Sequence, residues 1–206
     1  MVDREPPSCG WNHPPGPEGV VVFHPCCHLY AMGSKRLTSV TKVLGEVLPD
    51  DYTGVDVDVV ENARERGTQV DQLITAYVRG EISDYPIGTR EDSIDLFERL
   101  FLPWWWKQGF ISVYAQEIAY DDEIAGMLDL RCDGGIIYDV KCTYELLPKH
   151  HIQVAAYSEL CGGGFMKLLH LSKRFKTAKV VDVPVEARED WRTVRDFWRL
   201  KRRLEK

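Results

Sequence analysis

The stretch that decides the reading is IAGMLDLRCDGGIIYDVKC, residues 124–142. Two runs rich in apolar residues, Ile124 to Cys132 and Ile136 to Cys142, flank the turn signal Asp133-Gly134-Gly135 and together read as a β-hairpin. If Gly134 is the centre of the turn, Asp129 stands directly opposite Asp139. Side chains alternate along a strand, so Lys141 shares the face of Asp139. A second turn signal, Asp121-Asp122-Glu123, follows a strand expected from Val113 to Tyr120. If that turn is centred on Asp122, Glu117 lies opposite Met127 and therefore on the face of Asp129. One surface then gathers Glu117, Asp129, Asp139 and Lys141. The alternate face holds Ile118, Leu128, Leu130, Ile136, Tyr138, Val140 and Cys142, nearly all apolar, and is expected to pack on the core. A slip of one residue in either turn would break this arrangement.

Three carboxylates on one strand face repel each other and cost stability unless a cation or a proton neutralises them. Hard oxygen ligands of this kind suit Mg²⁺ or Mn²⁺. Such a metal lowers the pKa of a bound water and offsets charge on a phosphoryl group, and Lys141 would orient that water or stabilise the developing charge. The set suits hydrolysis of a phosphodiester. An Asp-x-Lys tripeptide alone carries little information, and charges on a strand face are ordinarily the solvated side of an antiparallel sheet. Here the spacing, both turns and the following helix agree.

Outward from the hairpin, Val20 to Tyr30 and Lys35 to Leu37 read as strands around Met32-Gly33-Ser34. Thr38 or Ser39 caps a helix from Val40 to Leu48. Asp56 caps a helix from Val57 to Arg66 that Gly67 should stop, and Thr68 caps the next, Gln69 to Arg79. Val70, Leu73, Ile74 and Tyr77 give that helix one apolar face. A helix from Glu91 to Gln108 should bend or break at Pro103. After the hairpin come a helix from Lys149 to Leu160, strands from Met166 to Ser172 and Lys179 to Val185, and an amphipathic helix from Glu189 to Leu204.

Several separated elements in this order resemble one known group. Gln116-Glu117, Ala125-Gly126-x-x-Asp129, Ile137-Tyr138-Asp139-Val140-Lys141 and Gln153-x-x-x-Tyr157 are similar to the RecB-like branch of the PD-(D/E)XK nucleases, which includes phage exonucleases and the mitochondrial genome maintenance exonuclease. The likeness covers roughly residues 60–160. Ser39-Val40-Thr41-Lys42-Val43-Leu44 resembles a segment near the start of such phage enzymes and favours Ser39 as the cap. The resemblance implies an α/β fold with a restriction-endonuclease-like core, a central mixed β-sheet flanked by helices. It implies Asp129, Asp139 and the Val140 carbonyl as metal ligands, Glu117 as an additional or second-metal ligand, and Lys141 as the catalytic lysine. Gln153 and Tyr157, one helical turn apart, would line the site and hold the substrate or the lysine. The group usually carries a His on an early helix after Gly-Thr-x-x. Here Gly67-Thr68-Gln69-Val70 is followed by Asp71, which can also ligate a hard cation. The implied activity is metal-dependent hydrolysis of linear single- or double-stranded DNA, more in the manner of an exonuclease, in phage-type DNA processing or recombination. The competing readings are a nucleic-acid-binding protein on the same fold with its chemistry lost, and a metal-free interaction module whose acidic strand face is incidental.

The remaining features bound the answer. The 206 residues suffice for one sizeable domain, expected over 20–206 after an irregular leader at 1–19. No apolar run is long enough to span a bilayer and residues 1–17 do not form a signal peptide, so a cytoplasmic location is expected, that of a bacterial host if the chain is phage-encoded. The net charge of -6 does not favour nucleic acid on average, but clustered metal-binding acids lower the count, and Arg192 to Lys206 is strongly basic. The six cysteines do not look like a disulfide framework, and Cys132 and Cys142 read as small core residues. Cys9, His13, His24, Cys26, Cys27 and His28 fit no zinc-finger spacing. The iron–sulfur cluster of some relatives needs three late cysteines, and none follows Cys161. Trp104, Trp105 and Trp106 could stack bases but are more often core. The last helix sets Trp191, Val194, Phe197 and Trp198 among Arg192, Arg195, Arg199, Arg202 and Arg203, which is either a packed stripe with a solvated basic face or a phosphate-contacting surface.

Overall fold

The computed structural model describes residues 19–25, 29–50 and 52–205. Its strands are β1 (Val21–His24), β2 (Leu29–Met32), β3 (Lys35–Ser39), β4 (Val113–Tyr120), β5 (Ile124–Cys132), β6 (Ile136–Lys141), β7 (Phe165–His170) and β8 (Lys179–Asp182). Its helices are α1 (Val40–Val47), α2 (Val57–Val78), α3 (Glu91–Leu96), α4 (Leu102–Gln108), α5 (Pro148–Leu160) and α6 (Ala187–Leu204). The strands form one mixed sheet, in which β3 runs parallel to β5 and β6 to β7 while the other pairings are antiparallel. This is the expected α/β class, a central mixed sheet flanked by helices.

The sheet forks at β5. Along one edge β4 pairs with β5 from Ala125 to Cys132. The other edge is shared: β3 takes Ile124 and Ala125, and β6 takes Leu130, Arg131 and Cys132. Between them, residues 126–129 have no strand neighbour on that edge. One face of the sheet is covered by α1, α5 and α6, whose Val40, Val154, Tyr157 and Trp191 pack with Ile124, Leu128 and Ile137. The other is covered by α2, α3 and α4, where Leu73, Ile74, Phe97, Phe101 and Trp104 meet Leu130, Tyr138 and Leu169. Burial of two such apolar layers is the main term that stabilises the fold.

Local signals account for most boundaries. The Ser39 hydroxyl accepts from Lys42 N (3.1 Å) and caps α1, and Asp56 accepts from Asp58 N (2.8 Å) and caps α2. Both Asp133 carboxylate oxygens accept backbone N–H groups, from Ile111 (2.6 Å) and Ser112 (2.7 Å), which pins the β5–β6 turn. Gly134 and Gly135 take φ of 69° and 74° there, a left-handed backbone that favours glycine.

Two helical expectations are corrected. Gly67 does not stop a helix and Thr68 caps none, because α2 runs unbroken through both. A glycine within a helix costs only about 1 kcal/mol relative to alanine, and contacts across the long helix outweigh it. Arg90 reaches Asn62 (2.8 Å) and Glu65 (3.2 Å), and its backbone N–H reaches Gln69 (2.9 Å), so residues on both sides of Gly67 are tied to the start of α3. Nor does Pro103 break its helix. It sits in the first turn of α4, where a missing N–H is tolerated, and the irregularity is a π-helical turn just upstream at Phe97–Phe101.

His150 supplies a pH test of the fold. Its Nδ1 accepts from Leu147 N (3.0 Å) at the start of α5, and burial, aided by Lys141 and Lys149, pushes its pKa down to about 3. The unfolded chain binds this proton near pH 6.5 and the folded one does not, so stability is complete above pH 6.5 and declines as pH falls toward 3. By pH 4.5 the loss from this group should be on the order of 2 kcal/mol, and His150→Gln should flatten that part of the curve in urea melts. Identical pH slopes for the two proteins would refute the assignment.

No helix among the described residues is long and apolar enough to cross a membrane. Cys9, His13, Cys26, Cys27 and His28 lie outside the described residues. Cys132 and Cys142 are free thiols in the α2–α4 layer, as expected for core residues.

Candidate active site

The β5–β6 ladder pairs Cys132 with Ile136, Arg131 with Ile137 and Leu130 with Tyr138. The next step places Asp129 beside Asp139, at the mouth of the fork. Asp129 Oδ2 accepts from Val140 N (2.7 Å), a contact open to it because no strand occupies that edge. Asp139 is 1% exposed, and its Oδ2 lies 2.6 Å from Lys141 Nζ. Lys141 Nζ also donates to Gln153 Oε1 (3.0 Å), and Gln153 Nε2 donates to the Tyr157 hydroxyl (2.8 Å). Gln153 and Tyr157 lie on α5 at i and i+4 and so present one face to the lysine. Tyr157 approaches β5 closely because residue 126 is a glycine: a Cβ there would lie 2.4 Å from Tyr157 Cε1 and 3.1 Å from Val40 Cγ2.

Asp71 joins from α2, on the opposite side of the sheet. Gln116 Nε2 donates to both its oxygens, at 3.0 and 3.1 Å. Burial, then the charge of Asp139, raises the Asp71 pKa to about 6. Burial and the charges of Asp139 and Asp71 hold Asp129 well above the usual carboxylate range, and burial raises Asp139 although Lys141 opposes it. Burial works against the Lys141 ammonium, but Asp139 and Asp129 outweigh it and keep its pKa above the ordinary value. Three carboxylates thus face a single ammonium in a buried fork.

Glu117 requires a correction. The β4–β5 ladder pairs it with Leu128, one residue from the expected Met127. Its Oε1 accepts from Arg131 Nη1 (2.7 Å), and it does not join the aspartates. The physical reason is the turn: Tyr120 pairs with Ala125 and Asp121 N donates to Ile124 O (2.9 Å), so the hairpin is centred between Asp122 and Glu123 rather than on Asp122, and one register holds along all of β4. The ladder pairs Ala115 and Glu117 but skips Gln116, whose φ is 58°. Gln116 stands at the level of Asp129 and its amide reaches Asp71. The alternation breaks on β5 as well: Leu128 packs in the α5 layer and Leu130 in the α2 layer, so the expected continuous apolar face does not exist. Gln116 carries no role in the sequence motif, because a strand residue in left-handed backbone leaves no trace in a pattern of alternation. Glu117→Gln should therefore cost less than about 1 kcal/mol of stability, as for other half-exposed pairs, and leave any rate of DNA cleavage within about twofold of wild type. A large loss of rate would show that Glu117 leaves Arg131 to act.

The donor set fits a hard divalent cation of low protein occupancy. Asp129 and Asp139 offer two buried carboxylates in excess of the available positive charge, and Mg²⁺ commonly takes one or two carboxylates and completes its shell with water and substrate phosphate. Among the described residues no group of three or more His, Cys, Asp and Glu side chains is arranged to hold a metal ion, so the fit rests on the Asp129 and Asp139 pair with water and substrate completing the shell.

Two other expectations are resolved by position. Trp104 is core, whereas Trp106 is 66% exposed and donates to the Tyr77 hydroxyl (2.9 Å). On α6, Trp191, Val194 and Trp198 are buried, but Phe197 is exposed. Arg192 pairs with Glu159, Arg195 with Asp121, and Arg199 with Glu123, so much of the basic face binds the chain's own acids.

No family model and no curated protein matches this sequence. Among solved structures, it is similar to an alkaline exonuclease from Laribacter hongkongensis, with 10% identity over 82% of this chain and 89% of that one and a TM-score of 0.47. It is also similar to SSO0001, with 12% identity over 79% of this chain and 78% of that one and a TM-score of 0.38. These likenesses are too distant to bear on activity.

Proposed function

We propose that this chain is a Mg²⁺- or Mn²⁺-dependent deoxyribonuclease, acting as an exonuclease on linear single- or double-stranded DNA in phage-type processing or recombination. The observation that supports the reading is Asp139 beside Lys141, with Asp129 on the facing strand bound to Val140 N and the lysine held by Gln153 and, through it, Tyr157. Asp129, Asp139 and the Val140 carbonyl would hold the cation, with Asp71 beside them. When bound, the cation supplies Lewis acidity, lowering the pKa of a water and offsetting phosphoryl charge. Gln153 takes one of the three Lys141 N–H donors and the Asp139 carboxylate lies 2.6 Å from the ammonium, which leaves a donor for the attacking water or a phosphoryl oxygen. Gln153 is held at both ends, by Lys141 and Tyr157, so the ammonium is aimed before substrate arrives.

The test is incubation of linear and circular DNA with the protein in Mg²⁺, Mn²⁺ or a chelator. Metal-dependent loss of linear DNA with circles spared is expected. No metal-dependent cleavage of any substrate would end the proposal, and cutting of circles would make the enzyme an endonuclease. Asp71→His should change the ratio of Mn²⁺- to Mg²⁺-supported rates, and an unchanged ratio would remove Asp71 from the metal set.

A further inference from the structure

The strand end that carries Lys141 opens onto a second, cationic cavity. Leu171 N donates to Lys141 O (2.9 Å), and His170 Nε2 lies 2.7 Å from Thr143 O. These bonds lock the ends of β6 and β7 together, so the residues that follow each strand line one recess of about 340 Å³. Its walls include Arg66 from α2, Thr143 and Tyr144 after β6, and Ser172, Lys173 and Arg174 after β7.

The charge there is unbalanced. Asp92 is the acid that answers these cations, and it is shared: Lys173 Nζ lies 2.8 Å from it, Arg66 Nη1 3.6 Å, and Arg90 Nε 3.0 Å. Arg66 Nε is buried and has no hydrogen-bond partner among the described residues. The Arg174 guanidinium lies 4.4 Å over the Tyr144 ring and 5.1 Å over that of Phe175, without a carboxylate among the described residues. Ser172 is 5% exposed, while Tyr144 is 71% exposed at the rim. Guanidinium and ammonium groups beside hydroxyls suit a tetrahedral anion, and an exposed ring at the rim suits the sugar or base attached to it.

We infer that this recess binds a phosphate of the nucleic-acid strand adjacent to the one that would react beside Lys141, and so adds affinity for the strand. The inference rests on the nuclease reading for the identity of the strand. Arg66, Lys173 and Arg174 are positioning residues, since they act on a phosphate other than the one that reacts. The occupant is either an internal diester or a terminal monoester, which share this chemistry.

Two arms test it. In the first, Lys173→Gln/Arg174→Gln, Arg174→Lys and wild type are given oligonucleotides ending in phosphate or hydroxyl, and KM and kcat are separated. The double variant should raise KM about tenfold with kcat nearly constant, and Arg174→Lys should recover part of the loss. Equal losses on both substrates indicate an internal diester; loss of a preference for phosphorylated ends indicates a monoester. In the second arm, binding of the same oligonucleotides is measured in chelator at several salt concentrations, on an Asp139→Asn background. The dependence of log K on log salt should weaken by about one in the double variant. Unchanged KM and unchanged salt dependence would overturn the inference. If wild type cleaves nothing, the proposed function falls, and the binding arm alone still decides the recess.

Discussion

Asp139→Asn should reduce metal-dependent cleavage of linear DNA by at least about a thousandfold, equivalent to roughly 4 kcal/mol of transition-state stabilisation. The substitution removes the charge of one of the two carboxylates to which the proposed function assigns the cation, the one whose Oδ2 lies 2.6 Å from Lys141 Nζ. It should do this without unfolding the protein. Breaking a buried ion pair ordinarily costs several kcal/mol because it leaves a charge without a partner. Here the fork holds three carboxylates to one ammonium, and Lys141 keeps the field of Asp129 and its bond to Gln153. The change in stability should stay within about 1 kcal/mol, read from urea melts in chelator. Equal cleavage by variant and wild type would mean that the activity belongs to a contaminant or to another site. Loss of activity with a collapse of stability would mean that Asp139 matters to the fold rather than to the chemistry.

Gly126→Ala should be the more damaging change to the fold, and it adds a single methyl group. The new Cβ would meet Tyr157 Cε1 at 2.4 Å and Cδ1 at 3.0 Å, with Val40 Cγ2 at 3.1 Å behind. Val40 is wholly buried and Tyr157 is 4% exposed, so neither side chain has room to retreat. Overpacking of this kind costs about 1–3 kcal/mol, and in a chain of this size each kcal/mol lowers Tm by about 2–4 °C. Activity should fall as well, because a displaced Tyr157 ring takes its hydroxyl from Gln153, and Gln153 from Lys141. Calorimetry and the rate at saturating DNA would check both parts. An alanine variant with wild-type Tm and rate would show that the β5–α5 approach is looser than these distances require.

How much of this was legible depends on how local each determinant is. The Asp129–Asp139 register could be read because the turn residues Asp133-Gly134-Gly135 set it within nineteen residues, with Gly134 and Gly135 in the left-handed backbone that favours glycine. The caps at Ser39 and Asp56 are equally local, as is the pairing of Gln153 with Tyr157 across one turn of α5. The run of α2 through Gly67 was not legible, because contacts from residue 90 hold both halves of that helix. The place of Glu117 was not legible either, since the residue types Asp121-Asp122-Glu123 mark a turn without fixing its centre, which falls between Asp122 and Glu123 and moves the whole pairing by one residue.

The sequence by itself determined the hairpin, its two opposed aspartates and the lysine beside them, for these follow from turn chemistry and side-chain alternation. Only the tertiary structure decided what surrounds them. In an unbroken sheet α2 and α5 would be held on opposite faces, each unable to reach the other's side chains. The sheet instead forks between Ala125 and Leu130, and through that gap Asp71 from one layer and the Gln153–Tyr157 pair from the other meet at Asp139 and Lys141. A fork made by strands distant in sequence has no local signature. That is why Asp71 could only be suggested from the sequence.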